Sequence, residues 1–194
     1  MINILNLLKR GQLFLYLLLF LFISCSKDDK PSGTKELVIR AADLSFLPEI
    51  EQEGTLFYDK NNNPKNALQI FKDNGCNTVR IRLWHTPSNT YSSLSEVVEI
   101  ANRVRNLNMK VWIDIHYSDT WADPGAQTKP SIWNSLDITT LADSVYNYTK
   151  KVILLLNPDY VQIGNEINSI LVTGIMNNNL SGWRKISYSF YSFT

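Results

Sequence analysis

The feature that most constrains the fold is an alternation of short apolar runs with longer segments of helical periodicity, which begins near residue 36. Apolar runs of about four to eight residues are typical of buried strands, and apolar positions at helical spacing are typical of amphipathic helices. Predicted strands lie at 37–43, 78–84, 111–116 and 160–164, and helical segments at 63–75, 94–104 and 138–156. Strands that alternate with helices are joined in parallel by crossovers, so the sequence predicts an α/β fold.

Capping residues predict the ends of the first helical segment. Asn63 followed by Pro64 has the pattern of an N-cap and a first helical residue. Asn74 and Gly75 have the pattern of a helix end, because both residue types tolerate the left-handed conformation found there. The stretch 44–62 is predicted to be a long connection.

Two predicted strands carry polar residues on one alternating face: Arg80 and Arg82 in one, Asp114 and His116 in the other. Charges buried against an apolar helix layer are costly. In a small barrel of parallel strands, inward-facing side chains near the carboxyl ends line a polar active site instead. The pattern therefore suits a small barrel of parallel strands. Structural ion pairing stays open for Arg80, whereas Arg82, nearer the strand end, is assigned to function.

The segment from Gly164 to Asn168 follows the fourth predicted strand and contains Asn165 and Glu166. Barrel enzymes carry their reactive groups at such strand ends. Hydrolysis of a glycosidic bond needs one carboxyl group to protonate the leaving oxygen and a second carboxylate across the sugar. An amide beside the acid can bind the sugar 2-OH. Glu166 is therefore the candidate acid/base, and a surface turn is the alternative explanation of this dipeptide.

Four sequence blocks together resemble the arabinogalactan endo-β-1,4-galactanase family. They are Asp43–Pro48, Arg80–Trp84, His116–Gly125 and Val161–Asn168. The likeness covers about residues 38–170, which is most of the chain but half of the family's barrel. The fold that it implies is the N-terminal half of a (β/α)8 TIM barrel, with about four βα units.

The resemblance implies a retaining, endo-acting hydrolase of β-1,4-galactan that uses no cofactor. Glu166 matches the family's acid/base, and Asn165 matches its partner. Arg82 matches the basic residue near the nucleophile. His116 and Asp119 fall in the loops that line the sugar cleft.

Two tryptophans, Trp84 and Trp121, are candidate stacking platforms for a sugar ring. Core packing is the alternative for Trp84. Loop capping is the alternative for Asp119, and a structural histidine is the alternative for His116. His85 is expected at an exposed loop position.

The N-terminal 25 residues have the pattern of a bacterial lipoprotein signal peptide. A basic pair at Lys9–Arg10 precedes the apolar run Leu13–Ile23, which is too short to span a bilayer, and Cys25 follows. Cys25 is the predicted lipidation site, residues 26–36 are a predicted tether, and the lipid is the predicted membrane contact. An ordinary signal peptide or an anchor helix is the alternative. The predicted location is the outer membrane or cell surface of a Gram-negative bacterium.

Charge and ligand content exclude several classes of protein. A net charge of +1 with 19% charged residues gives no footprint for nucleic acid. No His/Cys cluster or acidic calcium loop is present, so no metal is predicted. Cys76, which precedes an apolar strand, is predicted to be a structural thiol.

The end of the sequence departs from the family pattern. Residues 37–185 are predicted to be the N-terminal half of the barrel, and 186–194 an aberrant tail. The family's nucleophile is a Glu on the seventh strand, and none is predicted in this chain. Half a barrel leaves open edges, so low stability and no galactanase activity are expected. The alternatives are a non-catalytic, glycan-binding surface lipoprotein, a gene fragment without function, and a barrel hydrolase of another β-linked polysaccharide such as mannan.

Overall fold

A computed structural model describes residues 38–167 and the backbone of 170–171 and 175–176. Four parallel strands form one sheet in the order β1–β2–β3–β4. Their bounds are β1 Ala41–Asp43, β2 Thr78–Leu83, β3 Lys110–Ile115 and β4 Tyr160–Ile163. Two further short strands, β5 Ile170–Leu171 and β6 Ile175–Met176, pair with each other antiparallel. The predicted signal peptide, Cys25, the tether and the tail at 186–194 lie outside the described residues.

Four helices accompany the sheet: α1 Leu47–Gln52, α2 Ala67–Asp73, α3 Leu94–Asn106 and α4 Ile138–Leu156. A 3-10 turn at Ser131–Trp133 precedes α4. The order of strands and helices confirms the predicted α/β alternation, and α4 has the predicted bounds. Among the described residues no helix is both long and apolar enough to cross a membrane.

The prediction that α2 begins at Asn63–Pro64 was wrong, because the helix begins at Ala67. The Asn66 side chain caps it by accepting a hydrogen bond from Gln69 N at 3.3 Å. Asn63 lies instead in a turn, and its backbone N–H donates to Asp59 Oδ1 at 3.0 Å. Pro64 forms an isolated antiparallel bridge with Tyr58. These turn contacts of Asn63 leave Asn66 as the N-cap of the helix.

The long connection predicted for 44–62 contains one short helix, α1. Phe46 occupies the N-cap position and its side chain makes no capping hydrogen bond. The usual sequence signal of a helix start is therefore missing. Pro48 in the first turn suits a helix start, and Leu47, only 4% exposed, packs into the core.

The two long helices have capped ends. Ser93 caps α3 by accepting from Glu96 N, and Asp137 caps α4 by accepting from Thr139 N and Thr140 N. α4 ends at Leu156, and its C-cap Asn157 has a left-handed φ of 41°. Each helix turns an apolar stripe towards the sheet, which is the packing that joins successive parallel strands.

One face of the sheet is apolar and lies under the helices. The side chains on this face are 0–2% exposed in β2 and β3, and they are Val79, Ile81, Leu83, Val111, Ile113 and Ile115. Burial of each contributes roughly 1.5–3 kcal/mol. The opposite face carries Arg80 together with Arg82, Asp114 and Gln162, and the last three are paired with one another across β2, β3 and β4. The polar side chains of this face therefore extend towards the carboxyl ends of the strands.

Candidate active site

Glu166 lies three residues beyond the last residue of β4 and is exposed to solvent. Its backbone has a φ of 48°, and Gly164, two residues earlier, has a φ of 81°. A left-handed conformation costs a non-glycine residue roughly 1–3 kcal/mol and is found most often at functional sites. Glu166 makes no hydrogen bond or ion pair with any residue in 38–167. Its carboxyl group is thus presented to solvent at the carboxyl end of the sheet.

Asn165 is anchored on three sides. Its Nδ2 donates to the Ala122 carbonyl at 2.7 Å, and its Oδ1 accepts from Arg80 Nη2 at 3.1 Å. Its own carbonyl accepts from Gln127 Nε2 at 2.8 Å. The side chain is only 9% exposed. These bonds fix the peptide that carries Glu166.

Arg80 connects all four strands of the sheet. Its guanidinium forms an ion pair with Asp43 of β1, and its Nη2 lies 2.6 Å from Asp114 Oδ2 of β3. Nε donates to Gln162 Oε1 of β4 at 3.3 Å. This network favours the ion-pairing role that the sequence left open. It also shows that Arg80, and not Arg82, is the arginine in contact with Asn165.

The Asp43 carboxylate is held on both oxygens. Oδ1 accepts from Ser45 N at 3.0 Å and from Ser45 Oγ at 2.6 Å, and Oδ2 pairs with Arg80. Burial disfavours the charge, but the hydrogen bonds from Ser45 and Arg80 outweigh it and lower the pKa of Asp43. Asp43 is therefore a stable counter-ion of Arg80.

His116 is 1% exposed and bonded at both ring nitrogens. Nδ1 accepts from the Ala122 N–H at 3.1 Å, and Nε2 lies 2.9 Å from Asp114 Oδ2. An acceptor at Nδ1 requires the proton on Nε2, which then donates to Asp114. Both backbone polar groups of Ala122 are consequently engaged, one by His116 and one by Asn165. His116 therefore holds the loop after β3 in place, and Ala122 of that loop in turn accepts from Asn165, which precedes Glu166.

Arg82 is enclosed by aromatic rings. Its guanidinium carbon lies 4.1 Å from the ring centroid of Trp121, 4.6 Å from that of Phe46 and 4.7 Å from that of Trp84. Nε donates to Ser92 Oγ at 3.0 Å, and the residue is 3% exposed. Burial lowers the pKa of Arg82, although the carboxylates of Asp43 and Asp114 oppose this shift. Phe46 and Ser92 were not assigned from the sequence, although Phe46 is an aromatic residue just beyond β1.

The three rings around Arg82 differ in exposure. Phe46 and Trp121 are 46% and 44% exposed, whereas Trp84 is 9% exposed. Trp84 packs edge-on to Trp121 with ring centroids 6.0 Å apart. Its Nε1 is buried and has no hydrogen-bond partner among the described residues. This burial favours the core-packing alternative for Trp84 over stacking on a sugar.

Asp119 joins two loops. Its Oδ1 accepts from Thr86 N at 3.0 Å, and its Oδ2 accepts from Ser131 N and Ser131 Oγ, each at 2.8 Å. Burial opposes ionisation, but the hydrogen bonds from Ser131 and Thr86 lower the pKa of Asp119. With both oxygens occupied, the geometry favours loop capping.

The exposed position expected for His85 was wrong. Its ring packs 4.3 Å from Tyr148 and 4.5 Å from Trp133, between centroids, and is half-buried. Burial lowers the pKa of His85 below its ordinary value of 6.5. Burial also raises the pKa of the Tyr148 hydroxyl, which donates to the Trp84 carbonyl at 3.4 Å. His85 is therefore a packing residue beneath the loops.

Cys76 is half-buried, and its thiol donates to the Thr78 carbonyl at 3.2 Å. This contact agrees with a structural thiol. Within the described ranges no three His, Cys, Asp or Glu side chains are grouped as a metal site would require. One carboxylate oxygen, Asp114 Oδ1, is buried without a partner in that part of the chain.

The structure combines a parallel sheet and crossover helices with a carboxylate held beyond the carboxyl end of a strand by a fixed polar network. This combination defines the class of the β/α-barrel enzymes. The chain belongs to glycosyl hydrolase family 53, whose family model matches residues 39–192. This finding confirms the resemblance that the four sequence blocks carry.

Known relatives support the same membership. A protein of Aspergillus terreus named "Probable arabinogalactan endo-beta-1,4-galactanase A" is 43% identical over an alignment of 151 residues, which covers 73% of this chain and 42% of that protein. The arabinogalactan endo-β-1,4-galactanase of Cellvibrio japonicus is 40% identical over 134 residues, 66% of this chain and 35% of that protein. The catalytic domain of a family 53 enzyme from Ignisphaera aggregans superposes with a TM-score of 0.72 at 33% identity, covering 79% of this chain and 47% of that chain. The barrel prediction is thus confirmed, and this chain spans less than half the length of these proteins.

Proposed function

We propose that this chain supplies the acid/base half of a retaining endo-β-1,4-galactanase. The observation that carries the proposal is the fixed presentation of Glu166, exposed at a φ of 48° beside an anchored Asn165. Family membership indicates a glycosidase, and the relatives named above as β-1,4-galactanases indicate β-1,4-galactan as the substrate.

The chemistry assigned to Glu166 has two steps. Its carboxyl group first protonates the leaving glycosidic oxygen while a second carboxylate attacks the sugar carbon. The Glu166 carboxylate then removes a proton from the water that releases the product. In retaining enzymes the two carboxyl groups lie about 5–5.5 Å apart. We assign the second carboxylate to residues outside 38–167.

Asn165 is proposed to bind the sugar 2-OH. Its amide nitrogen carries two hydrogens, of which one bonds to Ala122, so the second can point towards the substrate. From the sequence, Arg82 was assigned as the basic residue next to the second carboxylate. The contact of Arg80 with Asn165 makes Arg80 the better candidate for that position. His116 and Asp119 are proposed to order the cleft loops.

The acid/base assignment is tested in a fusion protein. It joins residues 38–167 of this chain to the part of the Cellvibrio japonicus relative that follows the matching segment and completes the barrel. Glu166→Ala in this fusion should lower kcat on galactan by about a hundredfold to ten thousandfold, the usual contribution of a general acid/base. An aryl galactobioside with an acidic phenol should remain a substrate, because its leaving group needs no proton. Azide should rescue the variant and form a β-galactosyl azide.

Glu99→Ala, at an exposed position of α3, is the matched control and should leave kcat unchanged. An equal loss on galactan and on the activated substrate, without azide rescue, would remove Glu166 from the acid/base role.

We further propose that the 194-residue chain alone does not hydrolyse galactan, because no described residue is assigned as the second carboxylate. The measurement is reducing-end release from β-1,4-galactan by the purified chain. Clear turnover would contradict this proposal. Binding without turnover would instead support the alternative of a non-catalytic glycan-binding protein. The exposed rings of Phe46 and Trp121 favour this alternative.

Cys25 is proposed to be the lipidated first residue of an exported surface protein, on the pattern of residues 1–25. Expression in a Gram-negative host with labelled palmitate should give a labelled membrane protein. Cys25→Ser should abolish the label, whereas the control Cys76→Ser should retain it. Label that persists in Cys25→Ser would refute lipidation at this site.

A further inference from the structure

The direction in which Glu166 presents its carboxyl group is set by the backbone. The side chain is exposed and makes no hydrogen bond or ion pair within 38–167. Its backbone φ of 48° describes a rotation relative to the peptide that joins Asn165 to Glu166. A contact that fixes the plane of this peptide therefore also fixes the line along which the carboxyl group leaves the backbone.

The residues after β4 are held from two different sides. Gly164 is fixed by the sheet, because its N–H donates to Ile115 O at 3.0 Å and its carbonyl accepts from Gln162 Nε2 at 3.2 Å. The next carbonyl, Asn165 O, accepts instead from Gln127 Nε2 in the loop after β3, at 2.8 Å. Gln127 precedes Asn165 by 38 residues, so the orientation of this peptide depends on tertiary structure.

Gln127 is itself anchored in a short turn. Asp123 Oδ1 accepts from Gly125 N at 2.9 Å, and the Asp123 carbonyl accepts from Ala126 N at 3.0 Å. The same carbonyl accepts from Gln127 Nε2 at 3.1 Å. A glutamine amide nitrogen carries two hydrogens, so one is donated to Asp123 O and the other to Asn165 O. Gln127 therefore connects a closed turn to the peptide of the candidate acid/base.

The segment 122–127 holds Asn165 at two points. Ala122 O accepts from Asn165 Nδ2 at 2.7 Å, and Gln127 Nε2 donates to Asn165 O at 2.8 Å. The first contact fixes the side chain of Asn165, and the second fixes its main chain. A single contact would allow the residue to rotate about it, whereas two contacts define its orientation as well as its position.

We propose that Gln127 is a positioning residue of the reaction, which sets the plane of the peptide between Asn165 and Glu166 and thereby directs the Glu166 carboxyl group at the leaving oxygen. This role rests on the acid/base function proposed for Glu166. Gln127 acts through the backbone and donates no proton to the substrate. A misplacement of about 1 Å can lower a rate by about a hundredfold, so loss of this contact should impair proton donation more than substrate binding.

The test uses the fusion protein in which the acid/base assignment is measured. Gln127→Met keeps the length and most of the volume of the side chain and removes the donor. Its kcat on galactan should fall by about ten- to hundredfold, while KM stays within about twofold. The aryl galactobioside with an acidic phenol needs no proton on its leaving group. The kcat/KM for this substrate, which reports the breaking of its glycosidic bond, should therefore stay within about twofold.

Gln69→Met is the matched control. Gln69 is partly exposed, as Gln127 is, and its Nε2 donates to Asp73 Oδ1 at 2.7 Å within α2. The substitution therefore removes an equivalent side-chain amide outside the segment 122–127, and it should leave both activities unchanged. Gln127→Asn is a second variant that keeps the amide but is one methylene too short to reach Asn165 O. It should show the same selective loss on galactan as Gln127→Met.

Two outcomes overturn the positioning role. One is an equal loss on galactan and on the aryl substrate in the methionine and asparagine variants, which would indicate general damage to the fold. The other is galactan turnover by both variants within about twofold of Gln69→Met.

Azide rescue of Glu166→Ala separates this inference from the proposed function. If azide rescues Glu166→Ala and the Gln127 variants show no selective loss, the role of Gln127 alone is refuted. If azide does not rescue, the acid/base assignment fails, and the positioning role fails with it.

Discussion

Replacing Arg80 with methionine removes the guanidinium that connects the four strands while keeping much of the side-chain volume. The Asp114 side chain is 0% exposed, and its Oδ2 lies 2.6 Å from Arg80 Nη2. Without Arg80, the neutral His116 is the side chain that still donates a hydrogen bond to the buried Asp114 carboxylate. Removing one partner of a buried ion pair costs about 3–5 kcal/mol. Because the Arg80 side chain is 24% exposed and water reaches it, we expect about 3 kcal/mol of lost stability.

The assay is urea unfolding of the chain, followed by tryptophan fluorescence at pH 7. With a denaturant slope of about 2 kcal/mol per molar, a loss of about 3 kcal/mol lowers the urea midpoint by roughly 1.5 M. Arg103→Met is the matched control, because Arg103 is 28% exposed and pairs bidentately with Glu51 at 2.7 Å. Its partner is also 28% exposed, so we expect a loss of at most about 1 kcal/mol.

A double substitution separates lost contacts from the unpaired charge. Asp114→Asn placed on Arg80→Met neutralises the stranded carboxylate and should recover about 1–2 kcal/mol, a coupling within the range for contacting residues. Equal midpoints for Arg80→Met and Arg103→Met, or strictly additive effects in the double variant, would refute the reasoning from burial.

Three further predictions concern single sites. Asp137→Ala removes the cap of α4 and should lower the free energy of unfolding by about 1 kcal/mol in the same urea assay, and an unchanged midpoint would show that the cap contributes nothing. Burial lowers the pKa of His85 below 6.5, so its stabilising contribution is complete above that pH and is lost as the pH falls through the folded pKa. Urea midpoints between pH 8 and pH 5 should therefore fall more steeply for the unsubstituted chain than for His85→Gln, and parallel curves would contradict this. Glu166→Gly should be more stable than Glu166→Ala by about 1 kcal/mol, because glycine adopts a φ of 48° without strain, and the reverse order of midpoints would refute the strain.

β2, β3 and the two long helices follow from sequence periodicity, because each buries one apolar stripe. The first strand, predicted for 37–43, covers only Ala41–Asp43, whose residues are exposed or partly exposed. β2, β3 and α4 were predicted within one or two residues for this reason. α1 could not be recognised, since its N-cap is Phe46 and no side chain signals the start. α2 does not start at Asn63, because the backbone of Asn63 is hydrogen-bonded to Asp59 in a turn. Contacts in the folded chain, rather than the capping preference of asparagine, therefore decide where this helix begins.

The candidate site was predictable in outline and not in detail. The position of Glu166 after the fourth strand follows from chain order and barrel architecture. The alternation of β2 places Arg80 and Arg82 on one face and cannot distinguish them. Their difference arises from residues on other strands and loops: Asp114 and Asn165 meet Arg80, whereas rings surround Arg82. Such contacts become visible only once the register between strands is known.

The double engagement of Ala122 has a consequence for changing the length of the loop after β3. An insertion or deletion between His116 and Ala122 would detach Ala122 either from the imidazole or from Asn165, and so misalign Glu166. Gln127 and Ser131 are likewise tied, to Asn165 and to Asp119. Additional residues can therefore be accommodated after Thr128, which is exposed, without disturbing Glu166.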